Sequence, residues 1–276
     1  MREIDTGTED LLARVEDGVA VLTMNRPERR NALSPAMLSA LADVLARVEV
    51  ADDVGCVVLT GSGGAFCAGG DVKGMSESNA QQTGGGRRRS IDEVIHLQRL
   101  SQRATAGRLF EMPKPTIASL PGAAAGAGLS MALACDLRYA APRAVLTTAF
   151  AKVGFAGDYG GTWFLSQLVG TGKARELYFF SERIDAAEAE RLGIVNAVFP
   201  EDRLEEEVMA RARRLAAGPR IAYRYMKENL NRAVLGEWGE CLDMEAAHHI
   251  HTGLTDDHRE AVAAFMEKRE PVFGGR

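Results

Sequence analysis

Two glycine-rich stretches are the densest candidates for chemistry in this 276-residue chain. The first, GSGGAFCAGGDVKG at 61–74, carries six glycines in fourteen residues. The second, GAAAGAG at 122–128, runs into a helical pattern. Glycine lets backbone approach a ligand closely, and a turn of successive N–H groups can receive an anionic oxygen. At 122–128 the amides of a helix N-terminus add to that capacity. Each stretch follows a predicted strand, so together they could give one N–H apiece to a single oxyanion. Composition alone leaves a plain flexible loop equally open for 61–74. Neither stretch contains G-x-G-x-x-G, and no Gly-Lys-Ser/Thr follows either one. Dinucleotide and Walker-type phosphate readings therefore fall away.

Other reactive residue types are less well placed. Gly128-Leu129-Ser130-Met131-Ala132 resembles a nucleophile elbow but lacks its final glycine. His248, His249, His251 and His258 sit close in sequence without acidic partners in a metal-ligand pattern, so surface or interface positions are expected and no metal. The cysteines at 56, 67, 135 and 241 form no C-x-x-C pair, which points to reduced thiols rather than a disulfide or zinc framework. Cys67 lies in the first glycine loop, where small filler is expected rather than a reactive thiolate.

The elements that must carry these loops read as alternating strands and helices. Residues 13–24 predict strand, turn, strand around Asp17-Gly18. Ser34-Pro35 opens a helix, with Leu38, Leu41, Leu45 and Val48 on one face. Buried-type strands are expected at 56–60, stopped by Gly61, and at 116–120, stopped by Pro121-Gly122. The polar stretch 75–90 reads as a mobile surface loop or fraying helix. Short helices come next at about 127–135 and 161–169, and a capping box opens one at Asp185 with Gly193 as its stop. A short strand fits 194–199. From 201 the pattern is helical: 203–217, 221–235, 238–252 and 255–268. The expectation is an α/β core over 1–200 that holds the site, and a helical appendage over 201–276.

Charge and composition exclude several classes. Lys plus Arg is 33 and Asp plus Glu is 38, so the net charge of −5 argues against a general nucleic-acid binder. No run of eighteen apolar residues predicts a membrane span. The opening MREIDTGTED is acidic and lacks an apolar stretch, so it does not read as a secretory signal, and a cytoplasmic location is expected.

Four segments carry a family resemblance. NRPERRNAL (25–33), GAFCAGGD (64–71), KPTIASLPGAAAGAGLSMALACD (114–136) and GTWFLSQLVG (161–170) resemble the crotonase, or enoyl-CoA hydratase/isomerase, superfamily. The ending HREAVAAFMEKREPVFGGR (258–276) is similar to that family's C-terminal helix and tail. The resemblance implies a ClpP/crotonase-type spiral of ββα units with a helical C-terminal trimerisation region. It implies acyl-CoA thioester substrates, assembly as a homotrimer or dimer of trimers, and no separate cofactor, because coenzyme A is part of the substrate. It places the two oxyanion donors at the backbone N–H groups of Gly70 and Ala127. Ala127 stands where glycine is common but keeps the N–H, and Gly126 and Gly128 flank it.

The chain departs from the hydratases at their two glutamates. Those positions match Ser130 and Phe150. Serine does not replace a carboxylate base, and phenylalanine has no proton to move. The remaining acid is Asp158, in the glycine-rich run 154–161. It matches the aspartate of family members that lack both glutamates, among them the ring-epoxide/oxepin isomerase type of aromatic degradation. Related dehalogenases place a nucleophilic aspartate nearby, but also a tryptophan where this chain has Phe150. Without the resemblance, a solvated turn aspartate is the preferred reading of Asp158; with it, catalysis is favoured. Nearby Phe150, Phe155 and Trp163 would lower the local polarity and raise its pKa.

For coenzyme A, Arg26, Arg29 and Arg30 offer a basic patch for phosphates. The resemblance places Ala68, with Gly69 and Asp71 beside it, along the ligand. Lys268 and Phe273 match a segment that, from a neighbouring subunit, can cap the pocket. The reading favoured is an acyl-CoA isomerase working through an enolate. The alternatives are an enoyl-CoA hydratase or thioester hydrolase of the same fold, or a CoA-ester-binding paralogue without turnover. The 75–110 region is expected to shape the acyl pocket.

Overall fold

The computed structural model of the chain describes residues 1–71 and 89–276. Most of the expected 75–90 loop, and the end of the first glycine stretch, lie outside the described residues. Among those described, one sheet of seven strands runs β1 (Arg2–Ile4), β2 (Leu11–Glu16), β3 (Val19–Met24), β4 (Cys56–Gly61), β5 (Thr116–Leu120), β7 (Leu137–Ala140) and β10 (Ala197–Val198). The hairpin side is antiparallel through β3, and every pairing from β3 to β10 is parallel. A second, smaller sheet joins β6 (Ala124–Ala125), β8 (Val145–Thr147) and β9 (Ile184–Asp185).

Strand alternation builds a core on each face of the large sheet. Ala20, Leu22, Val57 and Leu59 point into the larger cluster with helix α1 (Pro35–Val50). Val19, Val21, Cys56, Val58 and Ile117 point the other way. That second face is covered by Leu204, Val208, Met209 and Ala212 of a helix after residue 200, Leu204–Ala216. The first helix of the C-terminal region thus belongs to the sheet's own core.

Local chemistry explains the boundaries. Ser34 caps α1, accepting the Met37 N–H at 3.0 Å, with Pro35 in the first turn. The helix buries Met37, Ala40, Leu41, Val44, Leu45 and Val48, while Leu38 packs only partly buried at the edge. Ser90 and Glu93 form a reciprocal capping box at the start of α2 (Ile91–Gln102). After α2 the backbone passes through a π-turn, Arg103–Gly107, into the short α3 (Arg108–Glu111). The expected strand at 194–199 shrinks to β10. The amides of Ile194 and Val195 turn back to the Ala189 carbonyl after Gly193, so pairing with β7 begins only at Asn196, whose amide donates to the Arg138 carbonyl, and ends at Phe199 on the Ala140 carbonyl.

The second glycine stretch leads into α4 (Ala127–Leu133). The segment expected to be helical at 161–169 continues as α5 (Gly161–Phe180), with non-helical backbone at Gly170. Asp185 caps α6 (Ala186–Arg191) by accepting the Glu188 N–H at 2.8 Å. The C-terminal helices are α7 (Leu204–Ala216), α8 (Arg220–Ala233), α9 (Trp238–Gly253) and α10 (Asp256–Glu267). Lys227 ties α8 to the core. Its buried ammonium donates to the carbonyls of Leu109 and Lys114 and to Asp136, which also accepts from Thr116. No helix of the described residues is long and apolar enough to cross a membrane.

Candidate active site

Three segments distant in sequence are laced into one wall. The Ala68 N–H donates to the Arg30 carbonyl at 2.9 Å, and the Leu33 N–H to the Gly69 carbonyl at 2.8 Å. The two glycine stretches join through Phe66 and Cys67 N–H groups on the Ala123 carbonyl, and through Ala125 N–H on the Cys67 carbonyl. Buried Asn31 locks the assembly. Its side chain accepts the Arg26 N–H and donates to the carbonyls of Ser62 and Ala65. Sequence reasoning passes over Asn31, because one asparagine within NRPERRNAL carries no local sign of burial.

This lacing brings the expected oxyanion donors together. Ala127 is the first residue of α4, so its N–H has no acceptor in the helix's own repeat. A Cβ on Gly69, next to Gly70, would stand 3.5 Å from the Ala127 nitrogen, which places the two loops side by side. Among the described residues no acceptor lies against the Gly70 N–H. Gly126 enters the helix at φ 51°, ψ −126°, a conformation that glycine adopts without the Cβ penalty. Gly128 must be small as well, since a Cβ there would come within 2.4 Å of the Cys67 carbonyl.

Asp158 stands half-buried in the loop before α5, and its Oδ1 is buried with no partner among the described residues. Burial alone pushes its pKa up to about 6. An unpaired carboxyl kept out of water is costly to ionise, and such groups concentrate at functional sites. The aromatic residues expected to surround it divide. Phe150 is buried and stacks on Tyr178 at 5.8 Å. Phe155 is exposed, and Trp163 turns into a cluster with Phe110 and Phe164. The aromatic groups that feel the Asp158 charge are instead Tyr159 and Tyr178, on which Phe150 stacks.

Two tyrosines complete the surroundings. The Tyr159 and Tyr178 hydroxyls are both raised in pKa, first by burial and further by the neighbouring Asp158 charge. Ser130 is buried, its hydroxyl 3.3 Å from the Gly126 carbonyl. The Ser130 and Tyr178 hydroxyls converge on Gly161, lying 2.2 and 2.6 Å from where its Cβ would be. Neither tyrosine stands out in the sequence. Tyr178 lies beyond the Gly170 break, twenty residues from Asp158, and only the turn of α5 returns it.

The other expected residues divide between structural and exposed positions. Arg26 is committed within the chain: its guanidinium donates to Asp71 at 3.1 Å and to the Ala32 carbonyl at 2.8 Å. It braces the first glycine loop, while Arg29 and Arg30 remain exposed. Cys67 is fully buried and pushed up to about 12 by desolvation, so its thiol is inert. His248 lies tilted against the Tyr225 ring, centroids 4.2 Å apart, and hydrogen-bonds with Asn229. Among the described residues no cluster of His, Cys, Asp or Glu could hold a metal ion. Lys268 and Phe273 belong to the C-terminal tail, which folds back on α10 where Asp257 accepts the Gly274 and Gly275 N–H groups. Among the described residues no hydrogen bond or ion pair joins Lys268 or Phe273 to the glycine loops.

The α/β core with its helical C-terminal region has the crotonase fold. Comparison with known proteins agrees. The enoyl-CoA hydratase/isomerase family model matches residues 14–276. The 1,2-epoxyphenylacetyl-CoA isomerase of Escherichia coli (strain K12) is 35% identical over 268 residues, covering 97% of this chain and 99% of that protein. A Rhodobacter capsulatus protein named "probable enoyl-CoA hydratase" is 36% identical over 263 residues, covering 95% and 96%. A solved enoyl-CoA hydratase from Polaromonas sp. JS666 superposes with a TM-score of 0.87 at 32% identity, covering 95% of this chain and 99% of that one. The chain belongs to the enoyl-CoA hydratase/isomerase family.

Proposed function

We propose that the protein is an acyl-CoA isomerase that moves a double bond by proton transfer. The observation that carries this reading is Asp158: a half-buried carboxyl whose Oδ1 has no partner among the described residues and whose pKa is pushed up to about 6, in a site whose hydratase-glutamate positions hold Ser130 and Phe150. The thioester carbonyl oxygen sits between the N–H groups of Gly70 and Ala127. The Asp158 carboxylate takes a proton from the α carbon of a β,γ-enoyl thioester. The C–H electrons pass into the conjugated system, and the charge on oxygen is held by the two N–H groups. The protonated carboxyl then delivers the proton to the γ carbon, leaving an α,β-enoyl thioester of unchanged mass. One carboxylate is sufficient because the proton taken is the proton returned.

Coenzyme A would lie along Ala68, Gly69 and Gly126, with exposed Arg30 facing its phosphates and the Arg26–Asp71 pair holding the loop in shape. Lys268 and Phe273 would reach the site of a neighbouring subunit. The chain would work in the cytoplasm as a homotrimer or dimer of trimers. Exposed Trp238, Leu254, Phe265 and Met266 on the C-terminal helices, 70–83% accessible, supply apolar surface for that assembly.

The test is Asp158→Asn, assayed on a β,γ-enoyl-CoA. Isomerisation should fall by at least about a hundredfold, with binding of the CoA ester retained. Full retained activity would overturn the assignment.

A further inference from the structure

No hydrogen bond holds the buried Asp158 Oδ1 among the described residues, so the direction of that oxygen is inherited from the backbone that carries it. That backbone is unusual. Gly157, Tyr159 and Gly160 all have positive φ, at 124°, 49° and 76°. Tyr159 is the strained member, because a side chain in the left-handed region costs roughly 1–2 kcal/mol. It persists only where the surroundings over-determine it.

The surroundings are the end of α2. Gln102 accepts the Tyr159 backbone N–H on its side-chain Oε1 at 2.6 Å. One residue earlier, the Ser101 hydroxyl lies 3.3 Å from the Tyr159 hydroxyl. Two adjacent side chains thus grip Tyr159 by its backbone and by its ring. Gln102 is itself fixed by the turn on its C-terminal side. That π-turn, Arg103–Gly107, buries Thr105 and Ala106, and the Thr105 hydroxyl donates to the Ser101 carbonyl at 2.7 Å. π-turns of this kind are frequent at functional sites. The remainder of α2 buries no residue, so its attachment to the site runs through this C-terminal end.

We propose that Gln102 is a positioning residue: its side-chain carbonyl holds Tyr159 in the left-handed turn and thereby aims the Asp158 carboxylate into the cleft. This rests on the reading of Asp158 as the proton-transferring group. Gln102 itself touches no reacting atom. Its loss should lower kcat with little effect on KM, because the oxyanion loops and the CoA contacts lie on other segments.

The experiment compares Gln102→Met, Gln102→Glu and Asp158→Asn in isomerisation of a β,γ-enoyl-CoA. Methionine keeps the length and helix preference but gives no oxygen acceptor; glutamate keeps an acceptor at the same reach. Gln102→Met should lose roughly ten- to a hundredfold in kcat, the scale of an ångström-sized misplacement. Its KM should stay within about threefold, and Gln102→Glu should recover most of the loss. A Gln102→Met enzyme with kcat within about twofold of the native value overturns the proposal. So does a glutamate variant as impaired as the methionine one. Retained activity in Asp158→Asn overturns the underlying reading and is seen separately. If Gln102→Met does not fold, amide hydrogen exchange on the native protein decides. The Tyr159 N–H should be strongly protected, and exchange at the open-chain rate refutes the latch.

Discussion

Replacing Asp158 by asparagine should stabilise the protein near neutral pH while removing its activity. Asparagine keeps the side-chain shape and removes the charge. The folded carboxyl titrates near 6 against 3.8 for the free group, solely through desolvation. At about 1.4 kcal/mol per pKa unit, the ceiling on the stabilisation is about 3 kcal/mol. The group is half-buried and partly screened, so about 1–2 kcal/mol is expected. Between pH 3.8 and about 6 the native state binds more protons at this site than the unfolded state does. Stability of the native protein therefore falls as pH rises through that window. The asparagine variant has no such loss. Thermal unfolding at matched protein concentration should show the two proteins nearly equal at pH 4. The variant should gain about 2–6 °C at pH 7, on the usual scaling of Tm with stability. A variant less stable than native at pH 7, or a difference independent of pH, would refute the claim that an unpaired carboxylate is held against its ionisation.

The same geometry fixes other outcomes. The ratio kcat/KM should rise with pH through an apparent pKa near 6 and then level off, since the base must be ionised in the free enzyme; a flat profile from pH 5 to 8 would exclude Asp158 as the titrating base. Ala127→Pro removes one N–H at the first position of α4, where proline is well accommodated, and should cut kcat by about 10²–10³; folding checked by circular dichroism with kcat unchanged would remove Ala127 from the oxyanion hole. Gly161→Ala would press a methyl group onto the Ser130 and Tyr178 hydroxyls and should destabilise by about 1–3 kcal/mol in urea unfolding; a neutral substitution would show that the two hydroxyls do not converge there.

Much of the fold is legible in the sequence because it rests on short-range chemistry. The Ser34-Pro35 start of α1, the strands at β4 and β5, and the four C-terminal helices come from caps, breakers and periodicity. The two glycine clusters are visible in the sequence, but at 61–74 composition alone leaves a plain loop equally open. Asp158 needs the family resemblance, since a glycine-flanked aspartate by itself looks like any turn. Tyr178, Gln102 and Asn31 stay hidden because their roles come from long-range placement. Tyr178 returns through a broken helix, Gln102 across 57 residues to Tyr159, and Asn31 into a loop 34 residues on. The arginine patch misleads in part. Charge count alone does not show that Arg26 already has Asp71 and the Ala32 carbonyl as partners.

Proton return without addition of water leaves its clearest mark on the mass of the product. The enzyme would be incubated in water and in deuterium oxide with β,γ- and α,β-enoyl-CoA thioesters, and the products resolved by mass spectrometry, with Asp158→Asn as control. The β,γ-enoyl thioester should become its α,β isomer at unchanged mass in water. At most, deuterium should enter at the α and γ carbons, and only with Asp158 present. A product heavier by one water would make the protein a hydratase. Release of free coenzyme A would make it a hydrolase, and binding without turnover would leave it a silent relative. Each of these results would contradict the isomerase assignment.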